Sequence, residues 1–134
     1  MTAAERLDDA EFLWAHGRRE GAMLSVLVAA AAVARRHHPK ASDREAFEGF
    51  LQAQHDWTIS VEFRGQQCDV DHLLYKWMRC ELAHTGSLPI DLHIDDTFAD
   101  PAHLTIRAGG APAYVVLITP AWFTFLVERV RQAS

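Results

Sequence analysis

Residues 73–89, LLYKWMRCELAHTGSLP, carry Leu73, Leu74, Trp77, Met78 and Leu82 at the spacing of a helix with one apolar face. Asp71, Tyr75 and Arg79 recur every four residues and line an adjoining polar side. Asp69 or Asp71 can supply the N-cap, Gly86 stands where a C-terminal glycine cap belongs, and Pro89 prevents continuation. His84 lies five residues beyond Arg79, about 140° further round a regular helix, so the two side chains do not aim at one point. A last turn that loosens at Gly86 would let the imidazole swing back toward the guanidinium.

Before this helix, Leu7, Ala10, Phe12, Leu13 and Trp14 predict a first helix from about Ala3 to His16, broken by Gly17. Arg19 to His37 is apolar on almost every side, as a helix surrounded by neighbours requires, and Pro39 stops it. Ser42 and Glu45 predict a capping box opening a third helix to about His55. Trp57, Ile59, Val61 and Phe63 then alternate with polar residues as in a half-buried strand, ending in a turn at Arg64, Gly65 and Gln66.

Beyond Pro89, Ile90, Leu92 and Ile94 alternate, as do Leu104 and Ile106, and both stretches predict strands. Gly109, Gly110 and Pro112 make a turn into Tyr114 to Ile118, an apolar run suited to a more buried strand. Thr119 and Pro120 open a final helix that buries Trp122, Phe123, Phe125, Leu126 and Val130. With no linker or repeat in 134 residues, the expectation is one α+β domain, mainly helical, with a small antiparallel sheet added.

Apolar residues at 49% and charged residues at 23% give a folded, globular balance. A net charge of -5 argues against non-specific coating of nucleic acid, which needs a basic surface, but leaves room for a local basic site. Two cysteines, Cys68 and Cys80, are too few for a disulfide framework, and MTAAERLDDAEF has no secretory signal pattern, so a cytoplasmic setting is expected. The 13-residue run 22–34 is too short to cross a bilayer, which needs about 20 residues, so no membrane role is expected.

Arginine and histidine are the parts needed to cleave RNA without a metal. A base removes the 2'-OH proton, an acid protonates the departing 5'-oxygen, and arginine stabilises the charge that builds on phosphorus. The segment Arg79-Cys-Glu-Leu-Ala-His84 has the Arg-x4-His form of the HEPN family, and GRREGAMLSVLVAAAAVARRHHP before it is similar to that family's second helix. The resemblance covers roughly Ala10 to Pro89. It implies a helical bundle, a symmetric homodimer that brings two motifs together, and metal-independent endoribonuclease activity in toxin, antiviral-defence or RNA-processing roles.

Carried over, Arg79 and His84 are the catalytic pair, no cofactor is called for, and a restraining antitoxin or defence partner is possible. Tyr75 and Lys76 are candidate RNA contacts beside the pair, and Arg35 and Arg36 form a rim if the end of the second helix lies near Arg79. Cys80 departs from the polar residue usual after the arginine, and the strands after Pro89 exceed the family's helical minimum. The alternative is therefore a non-catalytic module of the same kind that binds RNA or protein.

Two metal patterns are weaker. Cys68, His72, Cys80 and His84 are all zinc-ligand types, but the two Cys-His pairs are 12 residues apart, about 18 Å along one helix, too far for one tetrahedral site. Buried, inert thiols are the expectation for both cysteines. Asp91, His93, Asp95 and Asp96 lie opposite Ile90, Leu92 and Ile94 and are expected to be a solvent-facing strand side.

Overall fold

The alanine-rich run forms the middle of α2 (Arg19–His37), the helix about which the others are arranged. Ala22, Ala29, Ala30 and Ala34 are buried along with Met23, Val26, Leu27 and Val33. Small side chains let α1 (Ala3–Ala15), α3 (Asp43–Gln52), the motif-bearing helix and the last helix all approach it. The structure is a computed structural model that describes residues 2–95, 97, 103–109 and 115–134. The expected Asp96, Gly110, Pro112 and Tyr114 features lie outside those residues.

Helix starts follow local chemistry. At α1 the Thr2 hydroxyl accepts the Glu5 N–H (3.1 Å) while Glu5 accepts the Thr2 N–H (3.4 Å), a full capping box that the sequence pattern had suggested at Ser42 instead. At α3 the Ser42 hydroxyl accepts the Glu45 N–H at 3.2 Å. α3 ends at Gln52, three residues short of the expected His55, which belongs to the following connection and to a site of its own.

The strand predicted over Trp57 to Phe63 is shorter, β1 (Ser60–Phe63), and pairs antiparallel with a strand the sequence did not suggest, β2 (Gln66–Asp69). Phe63 pairs with Gln66, so Arg64 and Gly65 alone make the turn, both at positive φ (56° and 79°) as the two-residue hairpin with the right twist demands. Glycine does this freely; Arg64 is held there by Asp91 and by the faces of Phe63 and Trp77.

Residues 70–85 run as one helix in three parts: α4 (Val70–His72), a π-helical segment (Leu73–Cys80) and α5 (Glu81–Thr85). Val70 begins it after Asp69, which makes no side-chain cap bond. Gly86 closes it in the left-handed conformation at φ 81°, its N–H bonded to the Leu82 carbonyl.

The second sheet has the order β3 (Leu92–Ile94), β5 (Val116–Ile118), β4 (Ile106–Ala108). β4 and β5 are antiparallel as expected, but β3 joins β5 in parallel, so the sheet is mixed. α6 (Ala121–Ala133) follows, and Pro120 stands just before its first turn. Thr119 does not cap that helix. It is fully buried, and its hydroxyl donates to the Thr105 carbonyl (2.7 Å) beside the Trp122 indole N–H (2.9 Å). No helix of the described residues is long and apolar enough to cross a membrane.

Candidate functional site

The π-helical segment sets the geometry around Arg79. Its i to i+5 bonding winds wider than an α-helix, so residues five apart come nearer to one line than the α-helical 100° per residue allows. The Tyr75 hydroxyl accordingly meets Cys80. Tyr75 is half-buried against Phe47, with ring centroids 5.5 Å apart. Burial first, then the Cys80 sulfur, pushes the phenol above its ordinary pKa, and Arg79 draws it back down.

Arg79 is half-buried on the same side. Its guanidinium carbon sits 5.8 Å from the Tyr75 ring centroid and Nη1 lies 3.9 Å from Cys80 Sγ. Its Nε is buried with no hydrogen-bond partner, and no carboxylate of the described residues pairs with the guanidinium. A guanidinium with five donors, a blocked face and no counter-ion is equipped to receive an oxyanion.

His84 is exposed on α5, with no hydrogen-bond partner among the described residues. The last turn does not loosen: the helix holds to Thr85, whose hydroxyl bonds to the Glu81 and Ser87 carbonyls (2.8 and 3.0 Å). No hydrogen bond joins Arg79 to His84. Of the flanking candidates, Lys76 is exposed beside the Trp77 ring (5.2 Å) and Arg36 is exposed without a partner among the described residues.

Arg35 is occupied. It donates to the carbonyls of His38, Pro39 and Ala41 and to Asp43, tying the end of α2 to the start of α3. Arg35 is thereby tied to the start of α3, the helix whose Phe47 packs against the Tyr75 ring.

Asp71 departs from the polar stripe. It is buried, and both its carboxylate oxygens receive His55 Nε2 (3.1 and 3.2 Å) across 16 residues. Burial is the main cause that raises its pKa, and the bond from His55 opposes the rise. His55 stacks on Trp57 at 3.5 Å between centroids and 5° between planes. Sequence pattern gave no signal for this pair, because a histidine in a connection and an aspartate at a helix start share no periodicity.

The cysteines match expectation in part. Cys68 is buried and its thiol is raised by burial, while Cys80 is half-buried and engaged with Tyr75 and Arg79. Among the described residues no group of three or more ligating side chains could hold a metal. His72 bonds instead to Glu48 (3.2 Å), which also receives Arg44 (2.8 Å).

The face expected to be plain solvent surface is structured. Asp91 takes Arg64 at two points (2.7 and 2.9 Å), and Asp95, with a side chain only 8% exposed, accepts Arg107 and Thr97. The hydrogen bond from Arg64 is the first cause that holds Asp91 below the usual carboxylate range. A carboxylate depressed on folding contributes stability above its unfolded value, and that stability is lost as pH falls through the folded one. Urea melts taken between about pH 6 and pH 2 should therefore show Arg64→Ala losing acid-side slope, with about 0.5–1 kcal/mol of neutral-pH stability lost at this partly exposed pair. Parallel curves for the two proteins would count against the pairing.

Comparisons of the chain with protein-family models, with curated proteins and with solved structures find no match.

Proposed function

We propose that the chain is a metal-independent endoribonuclease of the HEPN type, acting as a homodimer in a toxin or defence role. The observation that carries this reading is Arg79: a half-buried guanidinium without a carboxylate partner among the described residues, one helical turn from an exposed histidine. Because α5 stays wound, the arginine and histidine of one copy do not converge, and two copies facing each other would supply the missing approach.

In that arrangement the imidazole of His84 takes the proton from the ribose 2'-OH as the 2'-oxygen bonds to phosphorus. The bond from phosphorus to the 5'-oxygen breaks, and the same histidine of the second copy gives that oxygen a proton. Arg79 donates to the phosphoryl oxygens as their charge grows. Tyr75, Lys76 and Arg36 flank the path of the RNA backbone, with Arg35 shaping the loop beneath. The products are a 2',3'-cyclic phosphate and a 5'-hydroxyl.

One observation favours the second reading, a module that binds RNA or protein without cutting it. The Cys80 sulfur engages both Tyr75 and Arg79, the two groups an attacked phosphate would need. The purified chain incubated with single-stranded RNA and a chelator separates the readings. Fragments ending in 2',3'-cyclic phosphate are expected; retarded but intact RNA would replace the nuclease with the binding module.

A further inference from the structure

The second sheet ends at β3: in the order β3, β5, β4, no strand of the described residues pairs with its outer side. The Asp91 carbonyl receives the Val116 N–H (2.9 Å) and the Asp95 N–H donates to the Ile118 carbonyl (2.8 Å), so residues 91, 93 and 95 turn their backbone groups to β5. Those of Leu92 and Ile94 face away. The Leu92 N–H turns back to the Pro89 carbonyl (3.1 Å), which leaves the Leu92 C=O and both groups of Ile94 without partners among the described residues. Such an edge is a template for another strand.

A hollow of about 370 Å³ runs along this edge, with the consecutive Leu92, His93 and Ile94 in its wall beside Leu88 and Ile90. Ile90 is 90% exposed, more than any other large apolar side chain of the described residues. The strand and its flanks, Asp91-Leu92-His93-Ile94-Asp95, run acid, aliphatic, histidine, aliphatic, acid from either end. A segment that reads alike in both directions suits an antiparallel copy of itself.

We propose that β3 pairs antiparallel with β3 of a second copy about a two-fold axis at His93, joining two three-stranded sheets into one. This gives the proposed homodimer a contact surface and stands without the nuclease chemistry. The free backbone groups select the register. With Leu92 opposite Ile94 of the second copy, each Ile94 N–H meets the other copy's Leu92 C=O. Asp91 then lies opposite Asp95 of the second copy. Arg64 holds the one and Arg107 the other, so two ion pairs adjoin and each carboxylate gains a second arginine neighbour. On the opposite side of the strand, Ile90 and Ile94 bring apolar surface to the contact.

Sedimentation velocity on the full chain and on Ile94→Pro, with cross-linking of His93→Cys by oxidised glutathione, tests this. Proline at 94 removes only an outward N–H and spares the bonds to β5, and it is expected to weaken the wild-type dimer about ten-fold or more. At the axis the two residues 93 form a non-hydrogen-bonded pair, with Cα atoms about 4.5 Å apart and within disulfide reach. His93→Cys, at an exposed position, is therefore expected to give a disulfide-linked dimer that wild type, with Cys68 and Cys80 alone, does not. A monomeric wild type, or no linked dimer from His93→Cys, would overturn the pairing. So would a dimer that persists unchanged in a folded Ile94→Pro, which would move the contact to another surface. RNA cleavage measured on the same samples judges the nuclease reading separately.

Discussion

Trp122→Ala is expected to cost about 3–5 kcal/mol, the usual range for removing a buried aromatic, from a domain whose whole stability is of order 5–15 kcal/mol. Trp122 is fully buried, meets the edges of Trp57 and Phe125 at 5.6 and 6.0 Å, and bonds through its indole N–H to Thr105. It is the point where α6, the second sheet and the connection after α3 share one side chain. Trp122→Phe keeps most of the volume and loses the bond, so a smaller loss of about 1–2 kcal/mol is expected. Urea denaturation measures both, and equal small losses would show that the site collapses around the gap.

His84→Ala is expected to slow RNA cleavage by about 10²–10⁴-fold, the contribution typical of a positioned general acid or base. Its side chain is exposed, so stability should change by less than about 0.5 kcal/mol, which separates chemistry from folding. Arg79 is half-buried, and Arg79→Lys is the more informative change there than Arg79→Ala. Lysine keeps the charge and loses the planar fork, so cleavage should fall while the fold survives. Cleavage that is unchanged in His84→Ala removes this histidine from the mechanism.

Helices were legible where periodicity and punctuation agree. Arg19 to His37 was bounded by its apolar run and Pro39, and Gly86 was recognisable as a cap because its position after an apolar face demands a left-handed residue. Strand pairing was less legible. β2 carries Gln66, Gln67, Cys68 and Asp69, with no apolar alternation, because a two-residue turn rather than burial fixes its register. The parallel partnership of β3 with β5 is a long-range choice that neither strand's own pattern records.

Within the site, the residue types and their order were readable, but not their phase. Helical-wheel spacing grouped Asp71 with Tyr75 and Arg79, whereas Asp71 turns inward to His55. The same spacing gave no reason to pair Tyr75 with Cys80. Both misses come from one assumption, that the helix keeps 3.6 residues per turn throughout. Arg35, Ala41 and Asp43 illustrate a different limit: a basic residue at a helix end can be committed to loop carbonyls and a neighbouring carboxylate, which charge counting does not reveal.

The π-helical segment works as a change of gear within a single shaft. Residues 70–72 and 81–85 each turn at the ordinary rate, while residues 73–80 between them turn more slowly, so everything after Cys80 arrives late by part of a turn. One residue of slack is thereby stored between the buried Asp71 and the exposed His84. Losing it by a single deletion would let the segment wind as ordinary α-helix with the histidine facing much as it does, whereas rewinding all eight residues as α-helix would swing it by about 100° relative to the core. In this helix, the winding of residues 73–80 controls where the histidine points as firmly as the identity of any side chain within it.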